Sequence, residues 1–242
     1  MPATSRALDL ELLRRRCSGC SLRELCLPAG LDASDIELIE QGVTASDQIP
    51  AGQALYHAGA PFDALYVIKS GSLKTFANSE GGELQILGFH LPGEVIGFDA
   101  LAGYRHQCTA EALEPTRACR LPYANLERLA ARVPGLQRQL MRLISREMQD
   151  DHRHLAMMGR PQALGRLALF LYSLSQRQQR LGRRPDHLTL SMSRADLANY
   201  LGLVLETVSR LFGRLQEMGV LDVRRREVTI LDPERLRELS NE

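Results

Sequence analysis

Five cysteines are the residues of this chain best suited to chemistry, and three of them, Cys17, Cys20 and Cys26, lie within ten positions in CSGCSLRELC. The two-residue spacing lets one turn of backbone aim two thiolates at one centre, and Gly19 eases that turn. The five-residue loop that follows brings in a third. In a reducing compartment such a cluster binds metal in preference to forming disulfides. Three ligands close neither a tetrahedral nor a cuboidal site, so a fourth must come from Cys108 or Cys119. Zinc takes four thiolates. An iron–sulfur cluster does too, and it also reacts with oxidants. The C-x2-C-x5-C spacing is not a familiar zinc pattern, which favours iron–sulfur. Four thiolates around such a cluster leave net negative charge, which Arg14, Arg15, Arg16 and Arg23 could offset.

A second set of chemical residues lies near the other end. Glu206, Ser209 and Arg210 stand at i, i+3 and i+4 on one helix face, close to its start. Arginine pairs bidentately with guanine, and glutamate accepts from cytosine N4. Arg214, one turn on, belongs to the same set. The alternative for Glu206 and Arg210 is an ion pair on a solvated face. Beyond them, Arg224, Arg225 and Arg226 form a cationic tip suited to phosphate.

The elements that must carry these residues follow from periodicity. Ser193 with Asp196 three later is a helix start. Asp196–Tyr200, a turn at Gly202 and Leu205–Met218 make a helix-turn-helix. Leu221–Val223 and Val228–Ile230 flank the arginines as a hairpin wing. A helix from Leu164 to about Gln178 precedes them, with Leu164, Leu167, Leu171 and Leu174 on one face. From about Val43 to Pro122, short runs separated by glycines predict strands at Ala54–Tyr56, Ala64–Ile68, Ser72–Phe76, Leu84–Phe89, Val95–Ile96, Thr109–Ala112 and Ala118–Leu121, a β-roll or jelly roll. Between the two regions, Pro134–Met158 reads as one helix of roughly 37 Å. Leu136, Leu140 and Leu143 can pack on the upstream domain. Met141, Ile144, Met148, Asp151, Leu155 and Met158 step 3, 4, 3, 4, 3, the spacing of a coiled-coil seam with a carboxylate in it. A parallel homodimer would set two Asp151 side chains face to face, so association would be marginal and easily tipped.

The fold expected is α+β: a cysteine-rich segment (1–30), a β-roll sensor domain (31–125), a dimerisation helix (126–159) and a winged helix-turn-helix (160–242). No window of 18 consecutive apolar residues occurs, so no membrane span is expected. The N-terminus lacks the apolar core and cleavage site of a secretory signal, which predicts a cytoplasmic protein. Residues 160–242 carry 14 Arg against 10 Asp and Glu, while the remainder is mildly acidic. That asymmetry hints at nucleic acid. No cysteine–histidine pairing with a supporting motif appears, which argues against a thiol enzyme.

Most of the chain, from about Cys17 to Ile230, resembles the fumarate and nitrate reduction regulator branch of the cyclic AMP receptor superfamily. The segments that carry the likeness are CxxCxxxxxC, ILGFHLPGEVIGFDA, ALEPTRACRLP, QLMRLISREMQDD and NYLGLVLETVSRLFGR. The Glu-x-x-Ser-Arg in the last is particular to this branch. The resemblance implies a non-enzymatic, oxygen-sensing transcription regulator. It implies a 4Fe–4S cluster held by Cys17, Cys20, Cys26 and Cys119, with Cys108 an extra. It further implies a homodimer switched at Asp151 that binds TTGAT-type inverted repeats in double-stranded DNA and contacts RNA polymerase. Leu84 departs from a usually charged residue in the polymerase-contacting region, and Arg160-Pro161 alters the junction to the last domain. The superfamily's cyclic-nucleotide binders hold phosphate with an Arg-Ser pair past the Gly-Glu segment. Here Arg105-His106-Gln107-Cys108-Thr109 does not supply that pair in register. A cyclic nucleotide or other small effector, or a zinc or disulfide thiol switch, is the alternative on the same scaffold.

Overall fold

The run ALYVI at 64–68 is apolar on both faces because it is covered on both. In the computed structural model, which describes Cys17 and residues 19–45, 48–79 and 81–241, it forms the buried part of strand β3 (Ala64–Ser70). Ala64, Tyr66 and Ile68 point into a roll interior with Tyr56, Leu73, Ile96 and Ala110. Leu65 and Val67 point the other way, against a helical layer that includes Leu126, Leu136 and Leu140. This is the period-2 geometry of a strand used twice.

The roll is two four-stranded sheets. One has the order β1 (Thr44–Ala45), β8 (Arg117–Pro122), β3, β6 (Val95–Ile96). The other has the order β2 (Ala54–Tyr56), β7 (Thr109–Ala112), β4 (Leu73–Asn78), β5 (Leu84–His90). All pairings are antiparallel. The β3–β4 turn depends on Gly71, whose φ is +82° and whose missing Cβ would stand 2.4 Å from Thr116 Oγ1. That hydroxyl is committed, accepting from Ser72 N at 3.1 Å and donating to backbone carbonyls.

Three helices lie beside the roll. α1 (Ala33–Gly42) is capped by Asp32, which accepts from Asp35 N at 2.9 Å. α2 (Tyr123–Arg132) ends at Val133, and α3 (Pro134–Met158) starts afresh with Pro134 in its first turn. The region 126–159 is therefore two helices that meet at Val133. The C-terminal unit holds α4 (Ala163–Arg180), α5 (Arg194–Leu201), α6 (Leu205–Glu217) and α7 (Pro233–Leu239). Its sheet has the order β10 (Leu221–Arg224), β11 (Glu227–Ile230), β9 (His187–Thr189). Ser193 and Asp196 close a capping box at the start of α5, and Gly202 ends that helix at φ +62°. The α+β architecture expected from the sequence is the one observed. α1, α7, β1 and β9 are additions that short segments with few periodic positions did not signal, and α2 takes up the start of the region expected to be one helix. No described helix is long and apolar enough to cross a membrane.

Candidate functional site

Residues 20–31 fold as a series of tight turns over the roll. They bring Cys17, Cys20 and Cys26 to one cavity, and Cys119 of β8 lines the same cavity from the sheet, with Ile39, Val67 and Lys69. Cys26 is buried, while Cys17, Cys20 and Cys119 are half-buried; all are free thiols. Burial, then the neighbouring Cys119, push the Cys17 thiol up to about 11. Burial, then Cys17, Cys20 and Cys119, push Cys26 up as well. Burial raises Cys119 also, opposed by Lys69. These groups resist ionising together unless positive charge arrives among them. Lys69 is the cation the sequence reading missed; it also favours the Cys17 thiolate. Of the arginines expected in that role, Arg23 pairs with Glu24 at 3.0 Å, and Arg14, Arg15 and Arg16 lie outside the described residues. Cys108 sits elsewhere, in the roll interior, its Sγ 3.5 Å from Asp99 Oδ2 and its thiol pushed up to about 12 by burial and that carboxylate.

The cysteine loop is tied to α3. Gln139, 2% exposed, donates from Nε2 to the Cys26 carbonyl at 3.0 Å. One turn earlier, a Cβ on Gly135 would meet Leu31 Cδ2 at 2.4 Å, so glycine permits the close approach. Leu136, Leu140 and Leu143 pack into the core below, as their spacing predicted. The opposite face of α3 is open: Met141, Met148 and Leu155 are 59%, 54% and 67% exposed. Ile144 is half-buried and Asp151 is exposed beside them. Met158 leaves this row, packing instead against the C-terminal core next to Gly202. Burial and then Asp150 raise the Asp151 carboxyl. Arg153, the nearest arginine on the helix, is taken by Asp150 at 2.6 Å.

On α6, Val208, Leu211, Phe212 and Leu215 are buried, while Glu206, Ser209, Arg210 and Arg214 face solvent. Arg210 donates to Thr207 Oγ1 at 3.3 Å; among the described residues it makes no ion pair with Glu206. Arg225, at φ +60°, turns the wing, and Arg224, Arg225 and Arg226 are all exposed, with Arg224 3.1 Å from Asp222. The residues expected to read bases and those expected to meet phosphate are thus all open to solvent.

A cavity of about 460 Å³ lies between the roll, α3 and α4. Of the segment Arg105–Thr109, only Cys108 reaches its wall. Arg105 donates to the Gly59 carbonyl at 2.6 Å, and His106 stacks on Tyr56 at 3.7 Å. Among the carboxylates that line it, Glu94 is held by Arg177.

A β-roll joined through a long helix to a winged helix-turn-helix defines a transcription regulator of the cyclic AMP receptor superfamily. Residues 47–133 match the cyclic nucleotide-binding domain and residues 165–239 the Crp-like helix-turn-helix domain. The chain is 40% identical over 224 residues to the fumarate and nitrate reduction regulatory protein of Vibrio cholerae, covering 93% of this chain and 90% of that protein. It is 42% identical over 217 residues to the transcriptional activator protein Anr of Pseudomonas protegens, covering 90% and 89%. It is 41% identical over 224 residues to the anaerobic regulatory protein of Pasteurella multocida, covering 93% and 82%. FixK2 from Bradyrhizobium japonicum superposes with a TM-score of 0.74 at 29% identity, covering 81% of this chain and 96% of FixK2. The chain belongs to the fumarate and nitrate reduction regulator branch of that superfamily. It carries the DNA-binding domain of a transcription regulator, and these relatives are themselves named as regulators.

Proposed function

We propose that this chain is an oxygen-responsive regulator in which Cys17, Cys20, Cys26 and Cys119 hold a 4Fe–4S cluster, and the loaded form dimerises along α3 to bind TTGAT-type inverted repeats. The observation that carries this reading is the meeting of four thiols at one cavity whose loop is bonded, through Cys26, to the helix bearing an unpartnered apolar row. The donor set fits the cluster: four thiolates, one for each iron, with Lys69 to offset part of their charge. Among the described residues no three His, Cys, Asp or Glu already stand in the arrangement of a metal site, so the four thiols share a cavity without being drawn together. When bound, the cluster supplies an oxidant-labile cationic core around which the thiols ionise. Gln139 fixes the loop's height on α3, and Leu136, Leu140 and Leu143 fix the helix's rotation, so that Met141, Ile144, Met148, Asp151 and Leu155 face outward as one row. In a dimer the two α6 helices would each enter a major groove, Arg210 toward guanine and Glu206 toward cytosine, with the wing arginines on phosphate. RNA polymerase is the further partner. Protein purified without air should hold about four irons per chain with a visible absorption band. Replacing any of the four cysteines with Ala should abolish it, and Cys108→Ala should not. Colourless protein with one zinc would defeat the sensor reading.

A further inference from the structure

The joint between the roll and the C-terminal unit carries a polar clasp that the proposed function does not use. Glu94, in the turn between β5 and β6, takes a two-pronged grip from Arg177 on α4: Nε to Oε1 at 2.8 Å and Nη2 to Oε2 at 2.6 Å. The same Nη2 donates to the Phe89 carbonyl, and Glu94 accepts a further bond from Leu91 N at 2.9 Å. The Arg177 side chain is only 17% exposed. A second contact reinforces the first. β5 is an edge strand, and Asn199 of α5 satisfies that edge as a neighbouring strand would, donating to the Leu84 carbonyl and accepting from Ile86 N, both at 2.7 Å. Lys74 of β4 adds a bond to Asp196 at 2.9 Å. The covalent link between the units is residues 159–162, with a glycine and a proline in it. In this docked arrangement Glu206, Ser209 and Arg210 stay exposed, so the clasp holds the reading surface without covering it.

We infer that the Glu94–Arg177 clasp is a positioning device: it fixes the angle between the recognition helix and the dimer helix, and so sets the half-site spacing the dimer accepts. A planar guanidinium forked onto a carboxylate fixes direction as well as distance, which a single lysine contact does not. Two half-sites one helical turn apart require two recognition helices roughly 34 Å apart, and a unit free to pivot at 159–162 would accept several spacings. The inference rests on the dimeric DNA reading proposed above.

The test uses the full, cluster-loaded dimer and a series of inverted repeats whose half-sites are moved by one and two base pairs. Arg177→Ala should lower affinity for the preferred spacing by about tenfold and flatten the preference to within about threefold across the series. Arg177→Lys should fall between Ala and the parent. The exchange Glu94→Arg with Arg177→Glu should recover only part of the spacing preference, since the swapped pair keeps its mutual bond but loses those to Leu91 N and the Phe89 carbonyl; an exchange no better than either single variant would count against the clasp. Glu94→Gln, which keeps the turn and loses the charge, covers the case in which Arg177→Ala fails to fold. Unchanged spacing preference in a folded Glu94→Gln or Arg177→Ala protein would overturn the inference, as would an equal loss at every spacing. Protease cleavage at 159–162 in the cluster-free chain is a separate readout: it should rise in the single variants and fall part of the way back in the exchange. Were the parent to bind no inverted repeat, the proposed function would fail while the cleavage result still decided the clasp; cleavage unchanged in every variant would overturn it.

Discussion

Asp151→Ala is the substitution whose effect follows most directly from the open face of α3. Asp151 is exposed between Met148 and Leu155, themselves more than half exposed, and Arg153 is already engaged by Asp150. Two helices packed about 8–10 Å apart in parallel would bring the two carboxylates to about 6 Å. Their repulsion is then about 0.7 kcal/mol at the dielectric of water and about 3 kcal/mol at an effective value near 20. Removing it should raise the dimer constant of the cluster-free chain by about threefold to somewhat over a hundredfold. Asp151→Asn should recover most of that gain, because the penalty is charge and not size. Acid should act in the same direction on the parent, since protonation of the raised carboxyl removes the repulsion. Sedimentation of the cluster-free chain across a concentration series reads the constant directly. A dimer constant within twofold of the parent for Asp151→Ala would refute the reasoning and place the two carboxylates apart in the dimer.

Two more outcomes are expected. Arg210→Ala should cost about 1–3 kcal/mol per half-site and relax specificity there, whereas replacing Arg224, Arg225 and Arg226 should weaken all sequences alike and flatten the salt dependence, both read by titration against specific and random duplexes. Glu147 is pushed up to about 7, first by burial and then by Asp151, Glu94 and Asp150. Its folded pKa lies above the ordinary 4.5, so the folded chain binds more protons than the unfolded one, and stability falls as pH rises from about 4.5 to 7. Glu147→Gln should therefore raise the melting temperature most above pH 7 and little near pH 4.5; the opposite order would contradict the sign.

What the sequence made legible was local. The Cys17–Cys26 trio was visible because its spacing is chemical. Residue pattern alone could not tell which of Cys108 and Cys119 lines the loop's cavity, since that is a matter of register. In β8, Ala118 faces the roll interior and Cys119 and Leu121 face the helical layer, so a slip of one residue would turn Cys119 away from the loop. Cys108 stands just before β7, where no alternation reveals a face. The resemblance pointed to Cys119, and in the structure Cys119 lines the cavity with the other three cysteines. The row on α3 was legible for its period, but the same period ran one residue too far: Met158 keeps the step of the seam and packs elsewhere. Lys69, Gln139 and the Glu94–Arg177 pair left no signal, because each acts across the fold, 113 positions apart for Gln139 and Cys26 and 83 for the clasp.

The bond from Gln139 to the Cys26 carbonyl also imposes a reciprocity. If an occupied cysteine loop favours the rotation of α3 that dimers need, dimerisation must favour the occupied loop by the same factor, because the two equilibria share one thermodynamic cycle. Chain abundance then enters the sensing threshold: crowded chains, and chains held on DNA, would surrender their loop more reluctantly than scarce ones. The same oxidant exposure would read as a stronger signal in a cell holding fewer copies.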